Sequence, residues 1–437
     1  MEKETAPEKF IRKDLDFTLN RLPQCVIEFQ VTARPTLVKK AKDEALSHVA
    51  KGVSLPGFRK GKAPHHLIER NFHKAVEEET KKHLAHIALR ECQEEVKIPL
   101  VSPEAPVHFN VDTYDLEKGA DLKISFEAEP TVPEIDTAGM SIEKIEEPEV
   151  SEDKIAHGMR QILLIYAEWK GITDRPAKEG DFVLIDVENI EKDPAEKVMN
   201  RSRFEVSKKA LAKWMFDMIV GLKAGESKEG VSVVDEGASE EEKKAFKPTK
   251  VRLTVQTIEE AVLPELTDEF VQKLGAKDVA AFKEHIEKTL SAQAKAFVVT
   301  KEREQVSKAL LDKYDFDLPA SLIQKETQFR LRGLLYQPKS LEEWKTMSEE
   351  ERNKAIASLS EDAKRAIRLF YISRRIVRDA NITVSKEEIE HDMKHNSDPT
   401  AAMGTQPQAP KEEQEALSLS RILLAKAQDH ILSQLKS

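Results

Sequence analysis

The chain has 437 residues, enough for about three domains with a core that needs no disulfide framework or metal. Charged residues make up 34% of it against a usual quarter, and its 15 glycines are about half the usual share, a balance that leans helical. The formal net charge of -10 excludes a protein that coats nucleic acid with its whole surface, so any such contact must be a local basic patch.

Cys25 and Cys92 are the two cysteines, too few for a disulfide scaffold or a Cys-rich zinc site, and they point to a reducing compartment. They are read as a buried strand residue and a helix residue. The N-terminal MEKETAPEKF lacks an apolar signal core, and the longest apolar runs, such as Ile162 to Ala167, fall far short of the roughly 20 residues of a membrane span. A soluble, cytoplasmic protein with no membrane partner is expected.

Residues Leu15 to Leu19 and Cys25 to Val31 alternate apolar and polar around Asn20-Arg21-Leu22-Pro23, which predicts a hairpin preceded by a mobile extension over residues 1–13. Pro35 opens a helix with Val38, Ala41, Ala45, Leu46 and Val49 on one face, and a loop from Gly52 to Ala63 follows. Pro64 starts another helix, and His73 to Lys97 forms a long one. Pro99, Pro103 and Pro106 then give way to strands over Val107 to Val111 and Leu122 to Ala128.

Ser151-Glu152-Asp153 starts a helix predicted to run to Trp169. Strands over Phe182 to Ile190, Val231 to Val234 and Val251 to Ile258 surround a helical stretch from Ser207 to Leu222. After Pro264 helical periodicity dominates, over Val279 to Tyr314, Ala320 to Gln337, Ser360 to Ala380 and Glu412 to Leu435. The tract SDPTAAMGTQPQAP reads as a flexible link. The fold class is therefore α+β, multidomain and mainly helical, with an α+β unit over 1–150, a connecting helix over 151–175 that packs with the C-terminal region, a small α+β module over 176–262, and an all-helical region over 263–437.

The most informative segment is Gly57-Phe58-Arg59-Lys60-Gly61-Lys62, between Pro56 and Pro64. From Lys51 to Arg70, Lys51, Arg59, Lys60, Lys62 and Arg70 stand against Glu69 alone, a local charge of +4 on an acidic chain. Glycines let such a loop project, prolines stiffen its base, Phe58 offers an apolar anchor and the cations meet phosphates or carboxylates. The pattern suits docking rather than bond-making. It is not a phosphate-cradling P-loop, since the two glycines are one residue too close and Ala63 follows Lys62 where Ser or Thr is needed.

GFRKGKAP resembles the signature of bacterial trigger factor, a family of ribosome-associated chaperones: GFRxGK, then a small or apolar residue and proline. The resemblance spans nearly the whole chain and includes KAGE at Lys223 to Glu226 and LPELTDEFVQKLG from Leu263 to Gly275. It implies an N-terminal ribosome-docking domain, a small domain resembling the FK506-binding prolyl isomerases, and all-helical C-terminal arms around a client cradle. The implied partners are the ribosome, met at an exit-site ribosomal protein and adjacent ribosomal RNA through Gly57, Phe58, Arg59, Lys60, Gly61 and Lys62, and nascent or unfolded polypeptides. The resemblance leaves open a homodimer away from the ribosome. No cofactor and no metal are expected.

An isomerase pocket of this kind is an apolar, aromatic-lined cleft that favours the twisted imide. Matched to the family pattern, its candidates here are Phe204, Trp214, Met215 and Ile219. Counting back from Gly225, the family's Ile-Pro-Gly-aromatic stretch becomes Ala212, Lys213, Trp214 and Met215. The glycine-rich segment after the first strand is replaced by Glu191 to Glu196, and the flap reads EGASEEEKKAF. Weak or vestigial isomerase activity is therefore expected, with a fully active isomerase and an RNA-binding adaptor as the rival readings. Trp214, Phe216 and Ile219 serve equally well to pack a helix on a sheet.

Leu331, Leu334, Leu335 and Tyr336, or Leu369, Phe370 and Tyr371, could face a client or a neighbouring helix, and periodicity does not separate the two. His391-Asp392-Met393-Lys394-His395 resembles a zinc-protease HExxH but has Asp for Glu and no third ligand in view, and His83 and His86 read as helix-surface residues.

Overall fold

Alternating apolar residues close one face of a five-stranded antiparallel sheet, ordered β1 (Glu8–Ile11), β2 (Leu15–Leu22), β3 (Val26–Ala33), β5 (Gly119–Glu127) and β4 (His108–Asp115). Leu15, Phe17 and Leu19, then Ile27, Phe29 and Val31, then Leu122, Ile124 and Phe126 all point inward. Helices α1 (Pro35–Gly52) and α3 (His73–Val96) cover that face through Leu37, Val38, Ala41, Leu84 and Ala88, while α2 (His65–Asn71) lies between them in sequence. Each fully buried phenylalanine contributes roughly 1.5 to 3 kcal/mol. Phe29 meets Phe17 and Phe126 at ring separations of 5.5 and 5.6 Å.

The computed structural model describes residues 7–435 apart from 103, 138, 192–194, 236–242, 244–245 and 396–409. Most of the flap EGASEEEKKAF, most of the tract SDPTAAMGTQPQAP and part of Glu191 to Glu196 thus lie outside the described residues. The chain divides into two compact units, one of residues 1–145 with 300–437 and one of residues 146–299. Among the described residues no helix is long and apolar enough to cross a membrane.

The first unit also holds the C-terminal part of α7 (Val279–Lys313) and helices α8 (Ala320–Leu335), α9 (Pro338–Thr346), α10 (Glu349–Asp379), α11 (Lys386–His395) and α12 (Lys411–Leu435). Val306, Leu310, Ile372, Ile376, Ala427 and Ile431 form their core, and Ile135 and Ile142 from the extended chain after β5 pack onto it. The Tyr314 hydroxyl donates to the Asp136 carbonyl at 2.6 Å. Arg303 forks onto Asp429 at 2.9 and 2.7 Å.

In the second unit β6 (Glu168–Ile172), β7 (Phe182–Asn189), β8 (Glu196–Glu205), β9 (Ser227–Val231) and β10 (Lys250–Val262) build a sheet ordered β6-β10-β7-β8, with β9 on the start of β10. Helix α5 (Lys213–Ile219) packs on it. Helix α4 (Glu152–Ile165), capped by the Ser151 hydroxyl, sets Ile155 against Val271, of α6 (Asp268–Lys273), and against Phe282 and Ile286 of α7.

Several local expectations are corrected. The hairpin turn is Pro23 to Cys25, not Asn20 to Pro23: pairing runs to Leu22 opposite Val26, and Gln24 and Cys25 take left-handed φ values of 62° and 61°. Cys25 is thus a half-buried turn residue whose thiol donates to the Asp317 carbonyl. Residues 8–11 of the supposed extension form β1, because Phe10 stacks on Phe17 with centroids 4.8 Å apart. The connecting helix ends at Ile165, and Trp169 sits in β6, paired with β10. Strand β8 escapes periodicity because it is a polar edge strand with register shifts. A capping box between Ser348 and Glu351 starts α10 eleven residues before Ser360, ahead of any apolar stripe.

The β4–β5 turn has one stringent requirement. Asp115 accepts the N–H groups of Glu117 and Lys118 at 2.7 and 2.9 Å, which hold its carboxyl below the usual range. Gly119 then sits at φ 107°, and a Cβ there would lie 2.2 Å from the Ala33 carbonyl oxygen. Gly119→Ala is expected to lower the stability of the first unit by about 2 to 3 kcal/mol, the scale of a left-handed strain plus a clash. Denaturant unfolding checks this; an unchanged midpoint would show that the turn tolerates a side chain.

Candidate functional site

The basic segment leaves α1 at Gly52, where the Val53 N–H still donates to the Val49 carbonyl at 3.0 Å. Val53 and Leu55 turn back onto Leu46, Val49, Ala50, Ala63, Ile68 and Val76, together with Phe72, forming a small apolar base under the loop. Three backbone bonds shape the tip: Phe58 N–H to Leu55 O at 3.1 Å, Lys62 N–H to Arg59 O at 2.9 Å, and Gly61 N–H to Ala50 O at 2.9 Å. Gly57 and Gly61 take φ values of 89° and 78°, which explains glycine at both places.

All six residues from Gly57 to Lys62 are exposed, and Phe58 keeps 41% of its surface in solvent. Glu69, the one acidic residue between Lys51 and Arg70, is bonded to Lys42 at 2.6 Å. Among the described residues no carboxylate pairs with Arg59, Lys60 or Lys62. The structure therefore presents an aromatic ring and three unneutralised cations together on a loop whose base is packed. Such a tip can seat its ring in an apolar hollow while the charges orient and hasten encounter with an anionic surface.

In the second unit, Met215 and Ile219 are buried among Val183, Ile185, Leu253 and Val255, and Phe204 and Trp214 lie half-buried at the margin of that cluster. The four pocket candidates are thus brought to one apolar cluster, where they pack α5 onto the sheet whose edge strand is β8. Phe216 is half-buried there too, with Lys208 over its ring. The end of α5 is fixed by reciprocal bonds: Ala177 N–H to Leu222 O at 2.8 Å and Gly221 N–H to Ala177 O at 3.0 Å. Lys223 to Glu226 forms a turn in which Glu226 accepts the Lys223 N–H at 2.8 Å and Gly225, at φ 85°, donates to Val255 O.

The helical candidates separate. Leu369, Phe370 and Tyr371 pack in or against the core of the first unit, whereas Leu334 and Tyr336 are exposed. His391 and His395 stack with rings 4.0 Å apart, and Asp392 is held by Arg421. His83 faces neither His86 nor open solvent: it lies near His48, 35 residues away in sequence, and Glu79.

Comparison with known proteins adds to this geometry. The model of the family described as Bacterial trigger factor protein (TF) matches residues 15–162, and that described as Bacterial trigger factor protein (TF) C-terminus matches residues 278–432. The chain belongs to the bacterial trigger factor family. It is 28% identical over 402 residues to the trigger factor of Protochlamydia amoebophila, covering 90% of this chain and 88% of that protein. The Chlamydia pneumoniae trigger factor is 26% identical, covering 89% and 88%, and that of Thermomicrobium roseum 27%, covering 86% and 77%. A solved structure from work on promiscuous substrate recognition by the trigger factor chaperone has a TM-score of 0.50 and covers 95% of this chain and 99% of its own, a likeness of fold at 19% identity.

Residues 163–277, which carry the β6–β10 sheet, lie outside both trigger factor matches. In the segment Leu263 to Gly275, the Thr267 hydroxyl caps α6, Val271 is fully buried, and Gly275 closes the turn at φ 88°.

The β6–β7 loop, whose Ala177 holds the end of α5, is pinned by a forked ion pair. Arg175 donates to buried Asp181 at 2.5 and 2.9 Å, and the Lys178 N–H adds a third bond at 3.0 Å. Burial pushes the Asp181 carboxyl up, but the Arg175 and Lys178 bonds outweigh it and hold it below its ordinary value. Its native pKa being below the unfolded one near 4, the stabilisation is present above that value and is lost as pH falls through the native one. Asp181→Asn is expected to destabilise the second unit by about 2 to 4 kcal/mol at pH 7. In denaturant titrations the gap from wild type should shrink in acid; a gap independent of pH would contradict this account.

Proposed function

We propose that this chain is an ATP-independent, ribosome-associated chaperone that docks beside the exit site through Gly57 to Lys62 and receives nascent, unfolded polypeptides. Family membership supports the chaperone role. The observation that carries the docking reading is the exposed Phe58 beside three cations with no carboxylate partner among the described residues, on a loop closed by the Gly61–Ala50 bond. An exit-site protein would take the ring, and the adjacent ribosomal RNA would take Arg59, Lys60 and Lys62. Residues 1–150 act as the docking domain, the helix of the 151–175 stretch (Glu152–Ile165) as a connector, 176–262 together with strand β6 as the isomerase-like domain and 263–437 as the arms. Exposed Leu334 and Tyr336 suit shallow, exchangeable contacts with unrelated clients, which need no nucleotide switch for release.

Ribosome co-sedimentation of the full chain tests the docking. The combined Phe58→Ala, Arg59→Ala and Lys60→Ala variant is expected to pellet at least about tenfold less than wild type, since loss of one well-seated aromatic alone costs on the order of 2 kcal/mol. Equal pelleting would overturn docking by this loop. Binding to naked RNA as strong as to ribosomes would favour the RNA-adaptor reading instead.

The second activity is weak prolyl isomerisation. Uncatalysed X-Pro exchange takes tens to hundreds of seconds while synthesis adds about 5 to 20 residues per second, so a catalyst at the exit has a use. Phe204, Trp214, Met215 and Ile219 are the residues for it, and their engagement in one packed cluster favours low activity. Turnover of a short X-Pro peptide is expected to fall well below that of an FK506-binding isomerase. A comparable rate, abolished by Trp214→Ala, would make the chain a full isomerase.

A further inference from the structure

Away from the loop tip, two turns of helix face each other with side chains of a different chemistry. Glu44 and His48 stand one turn apart on α1, and Glu79 and His83 one turn apart on α3. Glu79 Oε1 lies 2.9 Å from His48 Nδ1 and 3.7 Å from His83 Nε2, and donor atoms of all three residues lie within 4.8 Å of one another. The two imidazoles meet edge to face, with centroids 5.7 Å apart.

We propose that His48 Nδ1, His83 Nε2 and Glu79 Oε1 bind a divalent transition-metal ion, with zinc the best fit, and that Glu44 orients His83 from the far side of its ring. The ligand set is two imidazoles and one carboxylate, a combination that suits zinc and leaves a fourth position for water. Tetrahedral coordination at about 2.0 to 2.1 Å places neighbouring donors about 3.3 Å apart, a spacing the two measured separations bracket.

The second observation is the division of labour on two of the three side chains. Glu44 Oε2 lies 3.6 Å from His83 Nδ1, so one nitrogen faces a carboxylate while the other faces the shared centre. A small approach of Glu44 from 3.6 Å to hydrogen-bond distance would complete a carboxylate–histidine–metal arrangement, in which the carboxylate holds the ring with its other nitrogen toward the ion. Glu79 is divided likewise: Lys82 Nζ lies 3.5 Å from Oε2, leaving Oε1 for the ion. The side chains of Glu79 and His83 retain 20% and 27% of their exposure and that of His48 65%, so an ion can enter from solvent. His48 lies one turn before the end of α1, close to Ala50, whose carbonyl holds Gly61, so a bound ion would brace the base of the basic loop against α3.

The test titrates zinc alone into metal-stripped full-length chain by calorimetry, with cobalt(II) absorption as a readout of coordination. One high-affinity equivalent is expected, weakened more than tenfold by His48→Gln or His83→Gln and about 10- to 100-fold by Glu44→Gln. The double variant His391→Gln with His395→Gln should leave it unchanged, and circular dichroism of each variant should show native helix content. Absence of zinc binding, binding that follows His391 and His395, or a cobalt spectrum unaltered by His48→Gln would each overturn the site. Ribosome docking is measured separately, so its failure and that of the metal site are independent.

Discussion

The Gly61 N–H bond to the Ala50 carbonyl, made over a base of Val53, Leu55, Ala63 and Ile68, is the constraint on which the candidate docking surface depends. A loop with three cations and an exposed ring would repel itself and collapse its aromatic onto the nearest apolar surface if nothing held it. Here Val53 and Leu55 occupy that apolar surface already, and the bond returns the chain to α1 within eleven residues. Phe58 is left in solvent because its neighbours have taken the available cover.

The same division between packed base and exposed tip runs through the protein. In the second unit Met215 and Ile219 are base, and the side of the cluster bearing Phe204 and Trp214 is margin. Along the helices of the first unit Leu369 to Tyr371 are base, and Leu334 and Tyr336 are margin. An aromatic committed to holding a helix on a sheet is less able to move over a substrate imide than one poised in a cleft, which links the packing of the middle unit to its expected modest catalysis.

Local chemistry was the legible part. Pro35 announced α1, Ser151 announced α4, and GFRKGKAP announced both an exposed loop and a family. What escaped depends on partners distant in sequence. Strand β8 is an edge strand whose Lys197, Asn200, Arg201 and Arg203 face outward often enough to hide the alternation. The hairpin turn moved because pairing across β2 and β3 continues until Pro23 supplies no N–H. Periodicity shows that Leu334 and Leu369 each belong to an apolar stripe, but which stripe another helix covers is a tertiary fact. His48 and His83 met only because α1 and α3 pack antiparallel over one sheet. The sequence cue that could have found them is the repeated Glu-x-x-x-His at 44–48 and 79–83.

The second unit, residues 146–299, interrupts the first, whose remaining core comes from residues 300–435. Glu127 accepts the Ser321 backbone N–H across 194 residues, and Asp136 meets Tyr314 across 178. At about 5 to 20 residues per second, a newly made β5 waits roughly 10 to 40 s for its helical partner to be synthesised. During that interval the five-stranded sheet must persist on the strength of α1 and α3 alone. A protein proposed to shelter unfinished chains is thus, during its own birth, an unfinished chain with a bare flank.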